Sequence, residues 1–335
     1  MACRCVVFAL CFVSTALCAQ TSLQSSYGFL DVPGNARLAG LGGVNVSLTD
    51  RDVNFFFSNP ALAGDSLVGW GSAGYQFYVA DVHQTTFAYS ARLKKIGPLQ
   101  VGVRHMDYGV IEGYDPSGAA LGKFRSNETA IVISKGHTLS NYRLGVSMKG
   151  VFSSLAGFRS AALLFDVGGV FVHPDQDLTI GLVVKNIGVV LSEYSVASET
   201  TLPFDVQAGV TFRPEHMPVR FSLTVHDLVD VDDTYYDPVE SEPGTLDKVL
   251  RHVNFGVELL LHQHFSILAG YNFRRHKELK LEEAGGAAGL TVGFSARVKQ
   301  FEFTLSRSSY IVGTAAYNIT LAADINRMLK RRQIL

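Results

Sequence analysis

The feature that most constrains this chain is a hydrophobic rhythm of two residues, repeated from about Tyr75 to the end. Phe87, Tyr89, Ala91 and Leu93 alternate with Thr86, Ala88, Ser90 and Arg92. Tyr142, Leu144, Val146 and Met148 alternate with Arg143, Gly145, Ser147 and Lys149. The same pattern returns in Val219–Val225, in Leu290–Val298 and in Tyr317–Ala323. A period of two belongs to a strand whose faces meet different surroundings. No helical period of comparable length competes with it in this region.

About fourteen such segments follow one another, near 68–80, 83–94, 98–107, 124–137, 141–153, 160–173, 177–187, 202–213, 218–227, 251–262, 264–274, 287–299, 301–309 and 315–325. Many approach the roughly 9–11 residues a tilted strand needs to cross a bilayer. Tight connections, such as Leu139-Ser140-Asn141, His262-Gln263-His264 and Lys299-Gln300, take turns with long ones. The long ones are Tyr108 to Lys123, Gly188 to Thr201, Asp227 to Leu250 and Arg275 to Gly286. Short periplasmic turns opposite longer outside loops are typical of outer-membrane barrels. The first hairpin, around Asp81-Val82-His83, is short where a long one is expected. An even strand count directs both ends of the barrel to the periplasm.

A soluble β-sandwich also alternates, because one face packs and the other meets water. Against it stand the long consecutive strands, the paired loop lengths and a polar face rich in Gly, Ser, Thr and Asn. A slip of one residue would turn Arg92, Lys149, Arg220 and Arg297 toward lipid, at roughly 2–4 kcal/mol each near the midplane. The expected fold is therefore all-β, an antiparallel transmembrane barrel of about fourteen strands over residues 67–326. Composition fits only through this pattern. Hydrophobic residues are 47% of the chain and charged ones 18%, yet no apolar run after the leader is long enough for a transmembrane helix.

Residues 1–19 read as a secretory signal, with Arg4 ahead of the apolar stretch from Val6 to Val13 and a cleavage point after Ala19. All four cysteines, Cys3, Cys5, Cys11 and Cys18, fall inside it, so no disulfide framework or thiol chemistry is expected of the mature chain. Cys18 is a poor lipoprotein acylation site because bulky Leu17 precedes it. With 29 basic and 30 acidic residues, no basic field points to nucleic acid.

Residues 20–66 differ from the barrel. They hold Gly42-Gly43 and the run Asp52-Val53-Asn54-Phe55-Phe56-Phe57-Ser58-Asn59-Pro60-Ala61-Leu62. The stretch is too glycine-rich for a strand pair and too apolar for a disordered tail. A hatch folded into the lumen accounts for both traits.

Catalytic chemistry finds little support, and neither an enzyme nor a cofactor is expected. His262 and His264 have no carboxylate spaced to complete a metal site and read as exposed turn residues. Asp230, Asp232, Asp233 and Asp237 lack the Gly and terminal Glu of an EF-hand loop. With Tyr235 and Tyr236, Asp232 and Asp233 form the candidate partner-contact loop. Gly168-Gly169 and Gly285-Gly286 lack the strand-to-helix setting of a phosphate loop and read as close-packing or bend positions. No GxSxG elbow is present. The basic tail, residues 327–335, reads equally as a frayed end or as a contact for polyanions or lipid headgroups.

Gly42-Gly43 followed by Asn59-Pro60-Ala61-Leu62 resembles the hatch of FadL-like outer-membrane barrels. The fuller string resembles the PorQ family of the type IX secretion system, relatives of PorV. Phe221–Leu228, Asp247–His252 and Gly270–Leu281 extend that resemblance over nearly all of the mature chain. It implies an outer-membrane component of the attachment complex in a Bacteroidetes-type Gram-negative bacterium. Such a component would mount a PorZ-like surface protein beside PorU and PorV, where cargo is processed and linked to lipopolysaccharide, and would contact outer-membrane lipid. The alternative is a FadL-type transporter of hydrophobic or small solutes. The ending departs from the usual barrel, because Arg327, Lys330, Arg331 and Arg332 follow the last strand.

Overall fold

The computed structural model describes residues 26–196, 198–229, 244–279, 287–311 and 314–332. The expected signal and the loop residues Asp230, Asp232, Asp233, Tyr235, Tyr236 and Asp237 lie outside the described residues, as do Gly285-Gly286.

Fourteen antiparallel strands close into one barrel, each pairing with its sequence neighbours and the last with the first. They are β1 (Trp70–Phe77), β2 (His83–Leu93), β3 (Gly97–Tyr114), β4 (Ala120–Leu139), β5 (Tyr142–Leu155), β6 (Phe158–Val172) and β7 (Leu178–Ser192). The second half is β8 (Asp205–Phe212), β9 (Val219–Val225), β10 (Val253–His262), β11 (Phe265–Asn272), β12 (Leu290–Val298), β13 (Phe301–Ser309) and β14 (Ala315–Asp324). Closure removes every sheet edge along the shared register, as spanning a bilayer requires.

The two-residue rhythm sorts the side chains as its phase demands. Phe87, Tyr89, Val146, Phe152, Val167 and Leu182 face outward and are exposed on the barrel exterior. Gln84, Thr86, Ser90, Gln100, Ser134 and Ser147 point inward and are buried. A polar interior and an apolar exterior invert the soluble arrangement, which excludes the β-sandwich.

The loop lengths are less regular than expected. Ala156-Gly157 closes the β5–β6 hairpin with two residues at the end where long loops were expected, and residues 310–314 close β13–β14. Part of the expected Tyr108–Lys123 loop is strand instead. Val110–Tyr114 pairs with Ala120–Arg125, and register shifts after Asp107 and after Gly113 absorb the glycines that read as loop. β2 leaves β3 at Asp107, and β5 joins β4 only at Asn127, so this stretch stands clear as a two-stranded ribbon. Its side chains Val110, Ile111, Tyr114 and Leu121 are exposed.

Short helices also occur where none was expected. α1 (Ala36–Gly40) lies ahead of the barrel, α2 (Thr245–Arg251) and α3 (Phe273–Leu279) sit in long loops, and α4 (Ile325–Arg332) carries most of the basic tail. Each is eight residues or fewer, below the length at which periodicity can be read.

Residues 26–69 run inside the barrel. Phe29, Leu30, Val53 and Phe56 pack with Met106, Val132 and Leu164 of the wall. Leu38, Leu41 and Phe55 pack with Val170 and Leu268. The wall makes room with glycine. A Cβ on Gly145 would stand 2.2 Å from the Pro60 carbonyl carbon, and one on Gly181 would stand 2.2 Å from the Val46 oxygen. Backbone on both sides leaves nothing flexible to yield. Gly145→Ala is expected to cost about 1–3 kcal/mol and to speed amide hydrogen exchange in residues 59–63 while leaving the β-sheet circular dichroism of the barrel unchanged.

Candidate functional site: the filled lumen and its mouth

The lumenal segment is irregular, so its backbone polar groups cannot satisfy one another and need partners from the wall. The wall supplies them through short polar side chains. Thr320 Oγ1 accepts from the Ala36 amide at 2.9 Å, and Thr291 Oγ1 donates to the Gly40 carbonyl at 3.0 Å. Asn254 Nδ2 donates to the carbonyls of Leu41 and Val44 at 2.9 and 2.7 Å. Thr179 Oγ1 donates to the Ser47 carbonyl at 2.6 Å. Arg104 gives its guanidinium to three carbonyls, those of Phe29, Leu30 and Val32.

The glycine and asparagine-proline pairs singled out in the sequence occupy two arcs of this interface. Gly42 and Gly43 have φ of +93° and +98°, in the left-handed region. Gly42 also lies so close to Asn254 that a Cβ would stand 2.1 Å from its Oδ1. Both constraints demand glycine. Asn59 caps the 3-10 turn Pro60–Leu62 by accepting from the Ala61 amide at 3.0 Å, and its Nδ2 donates to the Val46 carbonyl at 2.9 Å. Pro60 opens that turn, where its missing N–H is of no consequence. Gly42-Gly43 sits against β10 and β11, while Asn59-Pro60 sits against β5 and β6. The two pairs do not come together into one site. Gly168 serves as a close-packing position, for its Cβ would stand 1.9 Å from Asn59 Oδ1.

Near the short-turn end, two buried charges, Arg37 and Glu258, and two half-buried ones, Asp50 and Arg220, tie the segment to β9 and β10. Arg37 donates to Asp50 at 2.6 Å and to Glu258 at 2.9 Å, while Arg220 donates to Asp50 at 3.1 Å and to Glu258 at 2.9 Å. Burial penalises the Asp50 carboxylate, yet Arg37 and Arg220 together hold its pKa far below the usual range. Sequence reading placed Arg220 in the lumen but named neither Arg37 nor Asp50 as its companions. Asp52 has the opposite balance. Burial outweighs Arg37 and raises its pKa to about 6.

At the long-loop end the segment stops short of the rim and leaves a cavity of about 520 Å³. Asp31, Arg104, Lys185, Asp205, Asp227 and Arg275 line it, so its walls are charged in both signs. Asp227 accepts from His226 Nδ1 at 2.7 Å and from Arg274 at 2.5 Å. Burial opposes its charge, but these partners hold its pKa well below the usual value. Arg275 lies over the Tyr310 ring at 4.3 Å. Asp31 is enclosed by the barrel but open to the cavity, and desolvation raises its pKa to about 6 despite the nearby Lys185. This mouth was missed in the sequence because its residues come from stretches scattered along the chain, from Asp31 to Tyr310.

His262 and His264 sit together in the β10–β11 turn, with ring centroids 5.3 Å apart. Among the described residues, no three metal-binding side chains converge.

A polar, occupied lumen inside an apolar closed wall defines a membrane-spanning, fourteen-stranded antiparallel β-barrel. No protein-family model matches the chain, and no curated protein does. Among solved structures it is similar to a TodX monoaromatic hydrocarbon channel mutant, with 12% identity and a TM-score of 0.53 over 87% of this chain and 98% of that one. It is also similar to a Pseudomonas aeruginosa FadL homologue, at 9% identity and a TM-score of 0.45 over 87% of this chain and 98% of that one.

Two substitutions test the interior. Glu258→Gln leaves the buried Arg37 and the half-buried Arg220 sharing one carboxylate and is expected to destabilise the docked segment by about 3–5 kcal/mol, read as lost amide protection around Arg37. Asp52→Asn keeps the cap on Asn54. Because the docked pKa of Asp52 is raised, its favourable contribution is complete below about pH 4 and is lost as pH climbs through about 6. The asparagine variant is expected to be more protected at pH 7, by at most about 3 kcal/mol, and to match the parent chain at pH 4 by hydrogen exchange.

Proposed function

We propose that this chain is an outer-membrane barrel that serves as a mount for a surface protein, not as a passage. The observation that carries this reading is the occupied lumen. Carbonyls and amides of residues 26–69 are bonded to the wall around its circumference, so opening a pore requires breaking many buried hydrogen bonds at once. The free surface lies at the long-loop end. There the β3–β4 ribbon presents Val110, Ile111, Tyr114 and Leu121, an apolar, strand-edged surface suited to a protein partner.

The resemblance to the PorQ family supports a specific setting. In it the barrel belongs to the type IX attachment complex and holds a PorZ-like protein at the surface, with PorU and PorV beside it. Lipopolysaccharide and outer-membrane lipid surround it, and it carries no catalytic group or cofactor of its own. The loop bearing Asp232, Asp233, Tyr235 and Tyr236 remains a second candidate contact.

A second reading, a FadL-type transporter, is supported by the shared fold with a hydrocarbon channel. The charged mouth weighs against an apolar solute, because desolvating Asp31 and Lys185 beside it has no compensation. Affinity purification from outer membranes in mild detergent separates the two. A mount is expected to bring down surface proteins, to lose them when residues 110–122 are replaced by a two-residue turn, and to show no conductance in planar bilayers. Conductance by the intact chain, together with no co-purifying protein, would reverse the assignment.

A further inference from the structure

The wall at the mouth contains a bulge whose result is a buried, unpaired ammonium group. In β7, Lys185 and Asn186 together oppose the single residue Asp166 of β6, and Asn186 takes a φ of +60°. Two neighbouring side chains therefore turn inward where strand alternation allows one. Asn186 is fully engaged, donating to the Pro203 carbonyl at 2.6 Å and accepting from Lys149 at 2.7 Å. Lys185 is not. It is 8% exposed and lines the cavity, and among the described residues none makes a hydrogen bond or ion pair with it. A buried ammonium without a partner is unfavourable. Nothing in the packing of the wall calls for one there.

The other cavity charges are mostly occupied. Arg104 is held by three carbonyls, Arg274 by Asp227 and Glu278, and Asp205 by the Asp227 amide and Gln207. Arg275 rests on Tyr310. Asp31 is the counterpart of Lys185, since its carboxylate opens on the same cavity, accepts no hydrogen bond and makes no ion pair within 4.0 Å. Among the described residues, the Lys185 ammonium and the Asp31 carboxylate thus face a common space without reaching each other, and Arg275, stacked on Tyr310, adds a second cation whose Nη1 has no hydrogen-bond partner. A simple anion placed there meets Asp31, and a simple cation meets Lys185. Only a ligand carrying both charges satisfies both groups. The space, about 520 Å³, falls within the roughly 300–1,000 Å³ of small-molecule sites.

We propose that the mouth cavity binds a small zwitterion, an amino acid or short peptide with free termini, its carboxylate on Lys185 and its ammonium on Asp31. The site goes beyond the mounting role and does not depend on it. The full chain in detergent micelles, titrated calorimetrically with alanyl-alanine, tests it. One-to-one binding is expected, weaker by about tenfold or more when either terminus is blocked by acetylation or amidation. Lys185→Met is expected to bind about ten- to a hundredfold more weakly while melting no lower than the parent, because the methionine removes an unpaired buried charge. Asp31→Asn is expected to lose the preference for a free amino terminus. Alanyl-alanine that gives no binding heat, a doubly blocked peptide that binds as tightly, or Lys185→Met binding like the parent would each overturn the proposal. The blocked peptides need no variant, so the outcome does not hang on how any substitution folds.

Discussion

Most of this structure follows from one constraint: an irregular chain buried in a barrel must find a partner for every backbone N–H and C=O. Residues 26–69 have one helix of five residues and a few 3-10 turns, which satisfy only part of their own backbone. The remainder is met by Thr179, Asn254, Thr291, Thr320 and Arg104, each on a different strand. The wall's richness in small polar residues is thus the complement of an irregular filling. Its glycines belong to the same account. Gly145 and Gly181 are places where strand and filler backbones touch.

Charge completes what hydrogen bonding begins. Arg37, Asp50, Arg220 and Glu258 share their bonds so that no ion of the four is left alone in a low-dielectric interior. Two of them belong to the filler and two to the wall, which makes the quartet a tether as well as a neutral cluster. At the opposite end the balance is left open. Lys185 of the wall and Asp31 of the filler stay separate across a space the filler lines but does not fill.

Much of the wall was legible in the sequence. The number of strands and the inward phase of Lys149 and Arg220 follow from local pattern. Other features were not legible. The ribbon of Val110–Tyr114 with Ala120–Arg125 looked like a loop because its glycines interrupt the rhythm, and only cross-strand pairing with bulges absorbs them. The helix Thr245–Arg251 is too short to leave a period. The Lys185-Asn186 bulge is equally silent, since one extra residue in a strand resembles ordinary irregularity.

Alternation is written locally in the residues, and it imposes a wall with an apolar outside and a polar inside, because each strand's side chains must choose between lipid and lumen. Which lumenal groups meet was decided by tertiary structure alone. Arg37 and Glu258 stand 221 residues apart, and the cavity of Asp31 and Lys185 exists only once the barrel has closed around the filler. Contacts of that range depend on the circumference and register of the closed sheet, which no local stretch of residues encodes.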